Sequence, residues 1–259
     1  MRVTHVAVAP GGQIALHGTA YDRNMARYTT FLSLFSKEGQ QQWTIKTLPY
    51  WIGELVFAPD GVLWTAGADT DGVRDVNTNH AIIRRWNARG EMIGGLARRH
   101  EVRAPKPRSH PSTQSWFTVS SDRVGWYSAI SRVYLEYSLD GKQLGRYKAV
   151  EVPDDAWYKG IAMTDDGAVF MSTSYVTSIT PKPVQSENVW VLDREHDSWV
   201  ALAKKGPLPP GNWIIGAEGP HLVVYAGRDK LRLLVPTTST NNLSPGTAAM
   251  RAVGHSPRF

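Results

Sequence analysis

A repeated strand–turn–strand pattern most constrains what this chain can fold into. The pattern is clearest in IGELVFAPDGVLWTAG, where Gly61 occupies a tight turn between two apolar stretches. Four weaker copies align on the same turn position, which is taken by Gly12, Arg123, Gly167 and Pro220. Glycine, aspartate and proline at these turns supply the backbone angles that short β-hairpins need. Five hairpin-forming units are therefore predicted.

A second turn repeats along with the first. Gly39, Gly90 and Gly141 are separated by two successive intervals of 51 residues. An aromatic side chain lies four residues before each of these glycines, as Trp86 does before Gly90. Repeats of about 40 to 50 residues with four strands are typical of β-propeller blades. We therefore predict an all-β fold, a β-propeller of five four-stranded blades, with six as the alternative if an upstream start is missing.

The apolar content of the strands supports this architecture. Ten Trp, ten Tyr and six Phe favour pleated sheets over helices. First strands such as LVFA and GIAM are apolar at nearly every position, as expected where a blade packs on both faces. We predict one propeller domain over residues 1–236, with units near 1–47, 50–97, 114–150, 156–202 and 211–236. The tail, 237–259, is expected to be disordered or to supply the last blade's fourth strand through TAAMRAVG.

Two of these hairpins also resemble a known superfamily. LVFAPDGVLWTAG and IAMTDDGAVFMST are similar to the repeats of NHL-like and SMP-30/gluconolactonase-like propellers. In the second group a Glu, an Asn and an Asp facing the channel hold a divalent cation that polarises an ester and activates water. The resemblance implies that Glu54 matches the Glu. It offers Lys159 and Gly160 where a further ligand is expected, and Asn212 is the nearby Asn.

Loop lengths point to one face of the propeller. The long connections are predicted at His17 to Tyr28, Ala68 to His80, Arg98 to Ser115, Tyr175 to Glu187 and Ala203 to Asn212. Long loops inside a compact domain are usually functional or disordered. The inner strands should begin at the same face, and their first residues are predicted to ring the channel mouth: His5, Glu54, Trp116, Tyr158, Lys159 and Trp213.

This ring of residues suits a polar, ring-shaped or anionic ligand. Aromatic planes stack on rings, while a carboxylate and an ammonium fix orientation. The alternative is that the Trp residues are packing core and that Glu54 forms a structural pair with Lys159.

The main basic segment is RRHEVRAPKPRSHPS. Its cations are predicted to bind an anion or a partner: Arg98, Arg99, Arg103, Lys106 and Arg108. A solvated connection between blades is the alternative. No aromatic residue alternates with the cations, so single-stranded nucleic acid is not the expected partner. The net charge of +6 does not by itself indicate an anionic partner.

An acidic loop follows the second strand of the second unit. Asp69, Asp71 and Asp75 have oxygen ligands at a spacing that calcium accepts, and Gly72 permits the bend. Turn-forming aspartates paired with Arg74 are the alternative. Apart from this weak Ca²⁺ or divalent-cation site, no cofactor is predicted.

The remaining sequence features mostly exclude functions. The chain has no cysteine, which excludes a disulfide, a thiolate metal site and a cysteine nucleophile. No catalytic motif, no secretory signal and no stretch of 18 apolar residues is present. We expect a monomeric, non-enzymatic binding module for a small polar or anionic ligand or a protein partner. It is cytoplasmic as written, and extracytoplasmic if the start is truncated. The alternatives are a metal-dependent hydrolase and an assembly module completed by strand exchange.

Overall fold

The computed structural model describes residues 1–23, 27–70, 79–102, 115–151, 157–178, 184–202, 208–209, 211–227, 230–237 and 249–252. Within these ranges the chain forms strands β1 to β20 and one short helix, α1. None of the helical structure described is long and apolar enough to cross a membrane.

The strands group into five blades in chain order. The first blade contains β1 (Arg2–Val8), β2 (Ile14–Asp22), β3 (Arg27–Phe35) and β4 (Gln41–Lys46). The second contains β5 (Tyr50–Phe57), β6 (Leu63–Asp69), β7 (Ala81–Trp86) and β8 (Met92–Arg98), followed by α1 (Arg99–Val102). The third contains β9 (Ser115–Val119), β10 (Arg123–Ser128), β11 (Val133–Ser138) and β12 (Gln143–Lys148).

The last two blades follow the same scheme. The fourth contains β13 (Trp157–Met163), β14 (Val169–Ser178), β15 (Val184–Asp193) and β16 (Ser198–Ala201). The fifth contains β17 (Trp213–Glu218), β18 (His221–Tyr225), β19 (Leu231–Thr237) and β20 (Ala249–Ala252). Each blade is a four-stranded sheet in which every strand pairs antiparallel with the next along the chain. The predicted fold class, an all-β propeller of four-stranded blades, is confirmed.

The repeated glycines occupy the turns that their spacing predicted. Gly12, Gly61 and Gly167 in the first turns have φ of 83°, 83° and 82°. In the second turn of the fourth blade, which lacks the glycine, Asp197 takes a φ of 45°. Aspartate is among the residues that tolerate this left-handed region. The first turn of the third blade needs no such residue, because the Ser120 amide donates directly to the Arg123 carbonyl across a shorter turn.

The C-terminal segment completes the fifth blade. Strand β20, from the segment TAAMRAVG, pairs with β19 between Leu234 and Ala252 and between Thr237 and Ala249. The outer position that strand exchange was expected to fill is therefore taken by this chain itself. The strand-exchange alternative is wrong for this blade.

Two of the predicted long loops are largely paired strand. In the region 17–28, β2 and β3 continue their pairing as far as Asp22 opposite Arg27, and the rings of Tyr21 and Tyr28 contact edge to face. In the region 175–187, β14 and β15 pair as far as Ser178 opposite Val184. The loops were predicted only from the number of residues between strands. Threonine and tyrosine in these segments have high strand propensity, so the hairpins extend into them.

Apolar clusters join neighbouring blades. Trp86 lies in the cluster between the first and second blades, and Trp64 lies in the cluster between the second and third. Similar clusters join the third blade to the fourth and the fourth to the fifth. Among the described residues, none of the clusters joins the fifth blade to the first. The core therefore consists of four interblade layers.

A buried ion pair supports one of these layers. Glu136 in β11 is 1% exposed, and Arg194 in the outer turn of the fourth blade binds it through two hydrogen bonds of 3.0 and 2.6 Å. Arg123 adds a second cation at 3.6 Å. The turn DREHD, which by sequence looks merely solvated, thus carries an interblade contact.

Candidate ligand-binding site

A cavity of about 270 Å³ lies where the inner strands of four blades face one another. It is lined by residues of β5, β9, β13 and β17. Three of the six residues predicted at the channel mouth line it together: Glu54, Trp116 and Lys159. Leu55, Ile161 and Ile215 contribute apolar surface beside them. The cavity thus combines one acidic group, one basic group and two aromatic rings, those of Trp116 and Phe117.

Glu54 enters the cavity next to a bulge in β5. The pairing of β5 with β6 shifts register between Ile52 and Glu54. Such bulges re-aim a side chain relative to a regular strand. Burial raises the pKa of the Glu54 carboxyl to about 8, with no charged neighbour offsetting it. Among the described residues no ion pair joins Glu54 to Lys159, so the predicted structural pair between them does not form.

Lys159 lies on the opposite side of the ring, in β13. Its Nζ lies 4.9 Å from the ring centroid of Trp157 and 5.6 Å from that of Trp213. Trp213 in turn packs against Tyr225, with ring centroids 4.5 Å apart. Aromatic faces attract an ammonium without neutralising it. The predicted residue Trp213 therefore supports Lys159 and does not line the cavity.

The two other aromatic residues predicted at the channel mouth have different surroundings. Trp116 is half-buried, with one part lining the cavity and another packing on Tyr127 at 6.1 Å. Tyr158 packs on the same Tyr127 at 5.4 Å and donates its hydroxyl to the Val150 carbonyl at 3.2 Å. Tyr158 is thus part of the interblade core, as the packing alternative proposed for aromatic residues.

His5 belongs to a separate cluster on the first blade. Its Nδ1 lies 3.1 Å from Thr4 Oγ1 and 3.5 Å from Nδ1 of His17. His17 is fully buried, and burial followed by the neighbouring His5 lowers its pKa to about 4. Sequence reasoning missed His17. The signal was available, because a tight turn at Gly12 places His17 directly opposite His5.

Of the predicted acidic loop, only Asp69 lies within the described residues. Arg84 donates to Asp69 Oδ1 and also stacks over Tyr50, 3.7 Å from the ring centroid. Asp71 and Asp75 lie outside the described residues. Within the described ranges no three His, Asp or Glu side chains converge as metal ligands would. The calcium site stays a prediction.

The basic segment is described only at its start. The Arg98 amide donates to Glu101 Oε2, and its guanidinium donates to the Asn79 carbonyl at 3.3 Å. The Arg99 amide donates to the His80 carbonyl, which closes the second blade. Arg103, Lys106 and Arg108 lie outside the described residues, so anion or partner binding there stays a prediction.

The cavity does not fit the metal that an SMP-30-like enzyme requires. Glu54 is the acidic residue that lines it, and Lys159 lines it at the position where a second ligand is needed. Asn212, the third candidate, precedes β17 and does not line the cavity. An ammonium beside a single carboxylate repels a divalent cation.

Structural comparison gives matches to solved propellers. The β-propeller domain of the Trilobed protease from Pyrococcus furiosus matches with a TM-score of 0.54 at 9% identity, over 89% of this chain and 67% of that chain. A eukaryotic initiation factor matches with a TM-score of 0.46 at 12% identity, over 89% of this chain and 51% of that chain. A gluconolactonase from Xanthomonas campestris matches with a TM-score of 0.44 at 14% identity, over 83% of this chain and 76% of that chain.

Sequence comparison adds nothing to these matches, since no protein family and no curated protein matches the chain. This chain thus spans about two thirds of the protease domain and about half of the initiation factor. At these identities the likeness concerns the backbone alone, and the chain has the β-propeller fold.

Proposed function

We propose that this protein is a non-enzymatic binding module that takes a small anionic ligand with a ring into the central cavity. The observation that carries the proposal is the convergence of Glu54, Trp116 and Lys159 on one cavity, with neither charged group paired to the other. Paired charges would make such a cavity a structural element. Unpaired groups in a cavity leave polar contacts for a ligand to complete.

The electrostatics favour a monoanion. With a pKa of about 8, the Glu54 carboxyl is mainly protonated at neutral pH and can donate a hydrogen bond. The Lys159 ammonium lies beside two indole rings. The cavity therefore carries net positive charge at pH 7. A carboxylate placed between the two groups would accept a hydrogen bond from one and neutralise the other.

The size and lining of the cavity restrict the remainder of the ligand. A cavity of about 270 Å³ lies just below the range of roughly 300 to 1,000 Å³ typical of drug-sized ligands. The Trp116 ring and the aliphatic side chains around it offer a flat apolar surface. A single ring carrying one carboxylate satisfies the charge, the volume and the stacking surface together. No observation favours the metal-dependent lactonase.

Calorimetric titration with benzoate and with its uncharged analogue benzamide tests the proposal. We expect benzoate to bind saturably and benzamide to bind at least about tenfold more weakly, because the amide lacks the charge that Lys159 neutralises. Trp116→Ala and Lys159→Met should each weaken benzoate binding by about tenfold or more.

Lys142→Met is the matched control, since Lys142 lies in the outer turn of the third blade and does not line the cavity. It removes the same charge and should leave the titration unchanged. Absence of benzoate binding, or binding that Lys159→Met leaves intact, would overturn the proposal.

A further inference from the structure

The first and fifth blades each expose an apolar face that the other blades bury. We call the face turned toward the preceding blade the front face and the opposite one the rear face. The inner strands contact one another from β1 to β5, β9, β13 and β17, whereas β17 makes no contact of comparable extent with β1. Among the described residues the ring is therefore open in one sector, between the rear face of the fifth blade and the front face of the first.

The front face of the first blade consists of core positions. In the first blade Val8, Ile14 and Phe35 pair across three strands, as Phe57, Leu63 and Trp86 do in the second. The three residues of the second blade are buried at 6%, 2% and 7% exposure. Their counterparts are open to solvent, with Val8 63% exposed and Ile14 and Phe35 half-buried.

Val6 extends this exposed surface along β1. It pairs with Leu16 as Leu55 pairs with Thr65 in the second blade. Leu55 is 9% exposed and Val6 is 57% exposed. The four core positions compared on this face are thus more exposed to solvent in the first blade than in the second.

The rear face of the fifth blade shows the same contrast. Val223 pairs with Leu233 as Phe170 pairs with Val191 in the fourth blade. Phe170 is fully buried, whereas Val223 and Leu233 are half-buried. Ile215, in the inner strand of the same blade, is 49% exposed. Exposed apolar surface at positions that elsewhere form cores marks an interaction site.

The chemistry of the two faces specifies what can cover them. At the four existing junctions an apolar front face meets an apolar rear face. An occupant of the open sector must cover a front face and a rear face at once, so it must be a sheet that is apolar on both sides. Among the described residues, a second copy of this chain has no such sheet free. Its second, third and fourth blades are covered on both faces, and its first and fifth blades expose one face each.

We propose that the open sector between the fifth and first blades is a docking site for a β-sheet of a partner protein, apolar on both faces. The docked sheet occupies the position of one blade and adds a layer on each side to the four interblade layers. It also places a further wall beside the central cavity, whose lining comes from β5, β9, β13 and β17.

The second blade, residues 50–98, is the probe that tests this proposal, because its residues take part in clusters on both faces. We express it as a separate polypeptide together with the full chain. The expected result is a 1:1 complex with a melting temperature about 5 to 10 °C above that of the chain alone. Fluorescence of the dye ANS, which reports exposed apolar surface, should fall at least about twofold.

A covalent arrangement covers the case in which the isolated blade is degraded. A second copy of residues 47–98 placed before Met1 through the natural linker should raise the melting temperature and lower ANS fluorescence in the same way. Val6→Glu with Val8→Glu should leave the melting temperature of the parent chain unchanged, since both side chains face water, and should abolish the gain in both arrangements. Leu144→Glu is the matched control, on an outer strand and 47% exposed.

Two results would overturn the proposal. The first is an unchanged melting temperature and unchanged ANS fluorescence in both the separate and the fused arrangement. The second is a marked destabilisation of the parent chain by Val6→Glu with Val8→Glu, which would mean that the fifth blade already covers the first.

Discussion

Glutamate and tryptophan each occur in two contrasting regions of this molecule, the interblade layers and the central cavity. Glu136 and Trp86 are buried between blades, and each has a partner: Glu136 binds Arg194, and the Trp86 indole donates to Thr65 Oγ1 at 2.9 Å. Glu54 and Trp116 line the cavity, and Glu54 has no partner among the described residues. The two glutamates thus differ, because Glu136 is paired with a cation and Glu54 is not.

The difference separates residues that maintain the fold from residues available to a ligand. A buried polar group without a partner costs free energy, which folding alone gives no reason to retain. A ligand that completes the missing contact recovers that free energy. Substitutions in the interblade layers should therefore reduce stability more than substitutions in the cavity, whose main effect should be on binding.

The largest effect is expected at Trp86. Replacing it with alanine removes a side chain that is 7% exposed from the layer between the first and second blades. Trp86→Ala should lower the free energy of unfolding by about 3 to 5 kcal/mol. Urea denaturation measures this loss, and Trp116→Ala is the comparison, expected to cost less because Trp116 is half-buried. A loss below about 1 kcal/mol in Trp86→Ala would contradict the stabilising role assigned to the interblade layers.

The next effect is expected at Glu136. Glu136→Gln keeps the shape of the side chain but removes the charge that Arg194 and Arg123 bind. The change should lower the free energy of unfolding by about 3 kcal/mol, because it leaves two half-buried guanidinium groups without the buried carboxylate that pairs with them. The double variant Glu136→Gln with Arg194→Met should recover part of the loss in the same denaturation experiment. An additive double variant would show that the pair contributes nothing.

The sequence predicts the interblade regions better than it predicts the cavity. Glycines at fixed spacing and apolar first strands define the blades, because these features act over a few residues and repeat. The outer turn carrying Arg194 looked solvated, because its partner Glu136 is 58 residues away in sequence. Nothing local in the sequence identifies such a contact.

The cavity residues were also predicted only in part, because local sequence does not reveal every feature that positions them. Counting back from the turns gave Glu54 and Trp116 directly and Lys159 as a neighbour of Gly160, and the three line one cavity, whereas their role in binding stays a prediction. Tyr158 was assigned with them, yet the bulge between Tyr158 and Gly160 is not visible in a residue count. A one-residue shift moves a side chain from one face of a strand to the other.

A further effect concerns His17, which is fully buried. Its pKa in the folded protein is about 4, below the 6.5 of an exposed histidine. As pH falls from about 6.5 to 4 the unfolded state takes up a proton that the folded state does not, so stability is lost over this window. The loss is about 3 kcal/mol. Denaturation midpoints at pH 7 and pH 4 measure it, and His17→Gln should flatten this part of the profile. An unchanged profile in His17→Gln would contradict the assignment.

The smallest effect, and the one with the opposite sign, is expected at Glu54. Its pKa is raised to about 8 from 4.5, so the protonated carboxyl favours the folded state below pH 4.5 and stability is lost as pH rises toward 8. Glu54→Gln removes this cost and should raise the free energy of unfolding at pH 8 by about 2 kcal/mol, since the open cavity screens part of the burial. Denaturation at pH 5 and pH 8 measures the change, which should be small at the lower pH. A loss of stability at both pH values would show that Glu54 has a structural partner, as Glu136 does. The contrast between the interblade layers and the cavity would then be wrong for Glu54.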